Sequence, residues 1–548
     1  MLSPLLLLLN LLASPFGVHS ITAPTEVGAE ISNSVTLDYG TFNGLINEDT
    51  KVIYFRGIRF ADPPVGDLRW RAAVSPPTTH LGDVDATQFA NACIPTSQTG
   101  SASGSSEDCL FGNVNIPLGT KTTDRLPVMV WFYGGGFQSG STNAAPPDFI
   151  LDSSAEPMIF ASFAYRLGQF GFLGGSKLNA DGLLNAGLHD QRIALGWVQK
   201  YIQNFGGDIT RVTIWGQSAG AGSTMFHLIA NGGDPQGLFR AAMGDSPSLS
   251  FTPFFNESYV ENIFDQVASF AGCDPQAADA ISCLRSVSSG VLATAGSLTI
   301  ASRTSTLFTF APLFDQTFLT MRPIEAFNSG NFAHVPVLFG SNTNEGAVWS
   351  STLPNPDANT STPNATLDTV FNFLQGQYFH LTRESFDQAV AQFYPLESFN
   401  GSFSLLGQQM YGEARYICTA VLITSAGGNN EAVGNSYQYR YDNPHLGSNH
   451  AAELSAFYTP NQGGANAQDE ALFETMRELW SSFVTGLKPV VNKVTASSVS
   501  WQPIARGTGG VPRILLNPDQ IAIEEASTLD PLIQRCNFWH SISDQLGA

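Results

Sequence analysis

The sequence predicts an α/β fold: a large, mostly parallel central sheet flanked by helices, with loop insertions around one site. Three observations carry this expectation. Short β-branched and aromatic runs alternate with stretches of helical spacing. Several of the runs, such as Val128 to Phe132, are apolar throughout rather than alternating, as strands covered on both faces tend to be. The glycines and polar residues able to do chemistry stand just past the ends of those runs, where sheets of this class place their ligands.

The elements follow in chain order. Val128-Met129-Val130-Trp131-Phe132 reads as a buried strand and leads into Tyr133-Gly134-Gly135-Gly136-Phe137. Met158 to Phe163 is a second strand and Arg211 to Trp215 a third. Between them, Ile193, Leu195, Trp197, Val198 and Ile202 give Asp190 to Asn204 a helical period. Val335 to Gly340 is a further buried strand, and Ser436 to Arg440 a later one.

Composition bounds the class. The chain has 548 residues, a net charge of −21 and only 13% charged residues, with 52 Gly and 31 Pro. That composition fits a large, loop-rich enzyme and excludes a coiled coil or a disordered chain. An acidic surface repels nucleic acid and anionic membranes. No long low-complexity linker, charge block or internal repeat divides the chain, so one domain over residues 21–548 is expected.

Residues 1–20 read as a secretory signal: Leu5 to Leu12 is a short apolar core, and Val18-His19-Ser20 a small-residue cleavage site. The apolar run is far shorter than the roughly 20 residues of a membrane span. Six cysteines and four Asn-x-Ser/Thr sequons (Asn256, Asn359, Asn364, Asn400) fit that secretory route and an extracellular protein. Sequence proximity favours Cys93 with Cys109 and Cys273 with Cys283, leaving Cys418 for Cys536.

The most informative residues are Gly216-Gln217-Ser218-Ala219-Gly220, directly after the Arg211 to Trp215 strand. A serine lifted out of a sharp strand-to-helix turn needs glycines on both sides, and the turn exposes its hydroxyl at a helix N-terminus. Acyl transfer also needs a base, a carboxylate to orient it and donors for an oxyanion. The N–H groups of Gly135, Gly136 and Ala219 are the expected oxyanion donors, since only glycines let the main chain approach a tetrahedral oxygen so closely.

Glu345, in a polar turn after the Val335 strand, is the expected carboxylate, with Asp315 as its competitor. Of nine histidines, His445 and His450 follow the Ser436 strand, and His450 opens a helix-like run. His450 is therefore preferred as base, while His189, His227, His334 and His380 sit inside element-like runs that favour packing roles. The order Ser, acid, His is that of α/β-hydrolases.

These residues resemble the type-B carboxylesterase/lipase family, which includes cholinesterases, yeast lipases and non-catalytic adhesion proteins. Phe55 to Arg69, Glu107-Asp108-Cys109-Leu110, Tyr165-Arg166-Leu167-Gly168 with Gly171-Phe172-Leu173, and Gly187 to Gln191 match its motifs in order. The resemblance covers nearly the whole chain and suggests a fungal source. It implies Ser218, Glu345 and His450 as the catalytic triad, Gly135, Gly136 and Ala219 as the oxyanion hole, and the three cysteine pairs. It also implies ion pairs of Arg56 with Glu107 and of Arg166 with Asp190, and a serine, Ser223, near the acid. No metal or organic cofactor is implied, and the partner is a small-molecule ester.

Three departures refine the expectation. Gln217 replaces the glutamate usual before the nucleophile, which removes an anionic partner for a cationic substrate. Tyr133 stands where a histidine is common. The loop between Cys93 and Cys109 is rich in Ser, Gly, Thr and Gln, with only Ile94 strongly apolar. An interfacial lid needs an apolar face, so an open entrance and soluble or dispersed esters are expected.

A lipase or sterol esterase for long-chain lipid esters, and a feruloyl-type esterase for aromatic acid esters, share the same chemistry. Phe251, Phe254, Phe255, Phe308, Phe310 and Phe314 are either core or the wall of a bulky apolar pocket.

Overall fold

The computed structural model describes residues 28–459, 464–491, 500–507 and 512–548, so the leader expected over residues 1–20 lies outside the described residues. Its main sheet has eleven strands, numbered here in chain order. They are β1 (Leu45–Asn47), β2 (Val52–Arg59), β3 (Phe111–Pro117), β4 (Leu126–Phe132), β5 (Ile159–Phe163) and β6 (Gly207–Gly216). β7 (Ala241–Asp245), β8 (Val337–Asn342), β9 (Ser436–Tyr441), β10 (Arg513–Leu516) and β11 (Ala522–Glu524) complete it. Across the sheet they run β11-β10-β9-β8-β7-β6-β4-β5-β3-β2-β1.

From β10 through β5 every pair is parallel, and only the edges (β1–β2, β2–β3, β3–β5 and β10–β11) are antiparallel. The apolar runs read from the sequence fall in this parallel centre. β4, β5, β7 and β8 are buried along their whole length, which is the two-sided burial that parallel crossovers impose.

The expected strands keep their identity with shifts at the ends. The strand expected over Val335 to Gly340 runs over Val337–Asn342, and β6 starts at Gly207 rather than Arg211. The helix expected over Asp190 to Asn204 is α1 (Ala186–Tyr201), followed by a 3-10 turn over Ile202–Phe205. It starts earlier because Asn185 takes a left-handed backbone (φ 53°) that opens it, and Gly187 packs where a Cβ would meet Phe172 and the Arg166 carbonyl.

Chain order reverses at the centre: β4 is followed by β5 on one side of it, while β6 lies on the other. Such a switch point leaves a crevice outside the carboxyl ends of the two neighbours. The glycine run follows β4 and Ser218 follows β6, so both flank that crevice. The three disulfides are Cys93–Cys109, Cys273–Cys283 and Cys418–Cys536, as proximity favoured. No helix among the described residues is long and apolar enough to cross a membrane.

The two expected ion pairs divide. Arg166 and Asp190 are buried and joined by a bidentate contact, with Nε and Nη2 each 2.7 Å from a carboxylate oxygen. Arg56 does not pair with Glu107. It lies over the rings of Tyr54 (4.5 Å) and Phe89 (4.6 Å), at a register irregularity of β2 between Phe55 and Ile58. Glu107 is taken instead by Arg69, whose Nε and Nη2 donate at 2.6 and 2.7 Å, and the adjacent Asp108 by Arg59. One residue of bulge re-aims the side chains beyond it.

Candidate active site

Ser218 caps helix α2 (Ala219–Gly233) with φ 58° and ψ −121°, a backbone that side-chain-bearing residues adopt only under constraint. Its N–H donates to the Asp245 carbonyl at 2.9 Å, tying the turn to the end of β7. The flanking glycines have steric reasons. A Cβ on Gly216 would lie 2.3 Å from the Gly220 carbonyl carbon, and one on Gly220 only 2.0 Å from the Phe132 oxygen. Gly220→Ala is accordingly expected to cost at least about 1–3 kcal/mol, the usual range for overpacking. Urea denaturation measures it, and an unshifted midpoint would contradict this packing.

The glycine run is a second tight turn, closed by Gln138 and Ser139 N–H bonds to the Gly135 carbonyl, both 3.0 Å. Gly135 (φ 107°) and Gly136 (φ 63°) hold left-handed backbones, and a Cβ on Gly134 would meet the Gln217 carbonyl at 2.7 Å. The N–H groups of Gly135, Gly136 and Ala219 find no acceptor among the described residues. Unspent backbone donors in the glycine turn and at the N-terminus of α2 are of the kind that an oxyanion requires.

Tyr133, the departure from histidine, supports this turn from behind. Its ring stacks on Tyr165 at 4.4 Å. Its hydroxyl donates to the Tyr165 carbonyl at 3.0 Å and accepts the Tyr165 N–H, and the Tyr165 hydroxyl returns a bond to the Tyr133 carbonyl.

Glu345 and His450 meet across the ends of β8 and β9. His450 Nδ1 is 2.5 Å from Glu345 Oε2, with the Glu345 side chain fully buried. The other Glu345 oxygen accepts from the Ser246 hydroxyl (2.5 Å) and the Asn342 N–H (2.6 Å). A carboxylate held by these donors fixes the ring with Nδ1 protonated and leaves Nε2 as the acceptor. Nε2 faces the elbow, 3.4 Å from the Gln217 side-chain nitrogen. Trp349 donates from its indole to the Glu345 carbonyl at 2.9 Å, and Tyr416 packs on the His450 ring at 4.3 Å.

Two further carboxyls are buried behind Glu345. Asp245 receives Trp215, Tyr439 and Trp480, yet burial outweighs these donors and pushes its carboxyl up to about 7. Burial, then the nearby Glu345 charge, pushes Glu453 well above the usual carboxylate range. Burial in that position works against a second negative charge beside Glu345.

The structure separates the residues that competed in the sequence. The serine on the acid is Ser246 rather than Ser223. Ser223 donates to the Ala219 carbonyl and accepts from Gln191 inside the first turns of α2, facing away from β8. Asp315 is spent on the Asn185 amide and on the N–H groups of Thr317, Phe318 and Leu319. His445 lies by Asp469 and Asn466.

Ser246, Trp349 and Tyr416 carried no sequence signal, because each reaches the site from a separate element: the end of β7, the loop after β8 and the turn Glu413–Ile417 between two helices. The phenylalanines divide too. Phe251, Phe308 and Phe310 line a narrow cavity, whereas Phe254 packs on Phe255 and Phe314. Among the described residues no group of three or more His, Cys, Asp or Glu could hold a metal.

A model of the carboxylesterase family matches residues 31–539. Lipase 4 of Diutina rugosa is 37% identical over 363 residues, 61% of this chain and 64% of that one, so the match spans less than two thirds of that relative. The secreted triacylglycerol lipase LIP1 of Gibberella zeae is 30% identical over 519 residues, covering 85% of this chain and 84% of the relative. The crystal structure of Aspergillus niger EstA matches at a TM-score of 0.82 and 29% identity, over 94% of this chain and 99% of that one. An elbow serine, a glycine turn and a paired Glu and His at the carboxyl edge of a parallel sheet, with this match over almost the full length, place the chain in the carboxylesterase family.

Proposed function

We propose that the protein is a secreted serine carboxylesterase, a single α/β-hydrolase domain over residues 21–548. Ser218 is its nucleophile, His450 its base and Glu345 the orienting acid, with Gly135, Gly136 and Ala219 as oxyanion donors. The observation that carries this reading is the 2.5 Å Glu345–His450 contact beside the strained Ser218 elbow.

In this reading His450 Nε2 takes the Ser218 proton as the oxygen attacks the ester carbonyl, and the three N–H groups hold the oxyanion. The imidazolium returns its proton to the leaving alcohol, and water resolves the acyl-enzyme by the same route.

The substrate preference for soluble or dispersed esters rests on the loop at residues 94–108. Ile94 is buried, and the loop is pinned against the helix Ser289–Ser302 by bonds of Gly100 to Thr294 and of Ser297 to Ser97. A tethered polar loop presents no apolar face to an oil surface. The secretory reading draws on the leader, the disulfides and the sequon asparagines, of which Asn256, Asn364 and Asn400 are exposed.

Names of relatives such as Lipase 4 keep a lipase as the second reading. Rates on short-chain and long-chain p-nitrophenyl esters, methyl ferulate and emulsified triglyceride separate the two. A maximum on soluble esters without a jump at the solubility limit is expected, and such a jump would favour the lipase.

A further inference from the structure

Arg415 lies in the single π-helical turn Glu413–Ile417, inserted between the helices Phe403–Gly412 and Cys418–Asn429. Inserted turns of this kind occur mostly at functional positions. Arg415 is only 3% exposed, and no carboxylate among the described residues pairs with it. The adjacent Glu413 is committed to Arg535, Tyr394 and Gln409.

The guanidinium instead lies over the Phe308 ring at 4.7 Å and beside Tyr416 at 5.7 Å. One nitrogen donates to the Ser250 hydroxyl at 3.3 Å, and Nε has no partner. The rings of Phe308, Tyr411 and Tyr416 and the neighbouring tyrosine hydroxyls offset part of the cost of burying this charge, but none of them is a counter-charge, so the position favours an anion.

The surroundings are built for one. With Ser250, Phe251, Phe308, Thr309 and Gln377, Arg415 lines a cavity of about 20 Å³, room for one or two oxygen-sized groups. The Thr309 hydroxyl is likewise buried without a partner. The cavity adjoins the site: the Phe308 ring occupies the place a Cβ on Gly136 would take, and Trp349 stands between Phe308 and His450. His450 must face the leaving alcohol, whereas Phe308 faces the oxyanion turn. A group reaching Arg415 therefore belongs to the acyl half.

We propose that Arg415 and Ser250 form an anion subsite for a free carboxylate on the acyl group, so that hemi-esters of short dicarboxylic acids are a preferred substrate class. This rests on the Ser218-centred hydrolysis proposed above. The net charge of −21 works against it, because the overall field repels anionic esters. A preference for them has to arise locally.

The test measures methanol release at pH 7 from monomethyl glutarate and monomethyl adipate against methyl pentanoate and methyl hexanoate. Wild type, Arg415→Met and Arg415→Lys are compared. The wild-type kcat/KM ratio of anionic to neutral ester is expected above one, falling at least tenfold in Arg415→Met and recovering in part in Arg415→Lys. Inhibition of wild-type methyl pentanoate hydrolysis by glutarate and by pentanoate decides the matter if Arg415→Met does not fold, with glutarate at least tenfold tighter.

Neutral esters favoured tenfold by wild type, an unchanged ratio in a folded Arg415→Met, or equal inhibition by the two acids would overturn the subsite and leave Ser218 catalysis standing. Silence on every ester would overturn both.

Discussion

Ser218→Ala is expected to lower kcat for a soluble ester by on the order of 10⁶-fold, the loss typical when a nucleophile acting within a triad is removed. The substitution deletes one oxygen from a residue that is 6% exposed, and the bonds holding the turn are main-chain ones: Ser218 N–H to Asp245, and Gly222 N–H to the Ser218 carbonyl. Thermal unfolding should stay close to wild type, so lost turnover would report chemistry. The proposed oxyanion donors remain, and a residual rate of roughly 10³ to 10⁴ over water should persist. Retention of more than about a hundredth of wild-type kcat would remove Ser218 from the mechanism.

Glu345→Gln carries the second largest expected effect, on the order of 10³ to 10⁴-fold in kcat. Glu345 accepts three donors, from His450 Nδ1, Ser246 Oγ and the Asn342 N–H. A glutamine of the same shape offers one oxygen and one NH₂ group. If the oxygen faces Ser246 and Asn342, the NH₂ meets Nδ1 and forces the histidine tautomer whose Nε2 carries the proton, which then cannot accept from Ser218. If the amide is reversed, two donors confront the NH₂ group in a buried site.

Either arrangement impairs turnover, and the second also lowers stability. Steady-state kcat on a p-nitrophenyl ester, together with a melting curve, tells them apart. A kcat within tenfold of wild type would show that another group orients His450.

Much of the architecture could be read from local pattern. Apolar runs such as Val128 to Phe132 read as strands buried on both faces, and the helical stretch Asp190 to Asn204 between two of the strands pointed to parallel crossovers. Glycines around Ser218 and after Phe132 marked places where a Cβ cannot fit, and the structure shows the colliding atoms: the Phe132 carbonyl for Gly220, the Gln217 carbonyl for Gly134. Short-range cysteine pairs followed from chain proximity, which leaves little choice of partner.

Contacts between distant segments needed the tertiary structure. Glu345 and Asp315 are each an acid near glycine or a turn, and only the β8–β9 register brings one of them to His450. Ser246 displaced Ser223 as the neighbour of the acid because it directly follows β7, the strand adjacent to β8, while Ser223 turns inward on α2. Arg56 lost Glu107 to Arg69 through a one-residue irregularity in β2 that no pattern of side chains announces.

Arg415 is the extreme case. Its sequence neighbourhood, Gly412-Glu413-Ala414-Arg415-Tyr416, offers an acid close by, and packing commits that acid elsewhere. Periodicity and sterics act along the chain and are written in the sequence. Which charge meets which depends on strand register and helix insertion, and only the folded chain decides that.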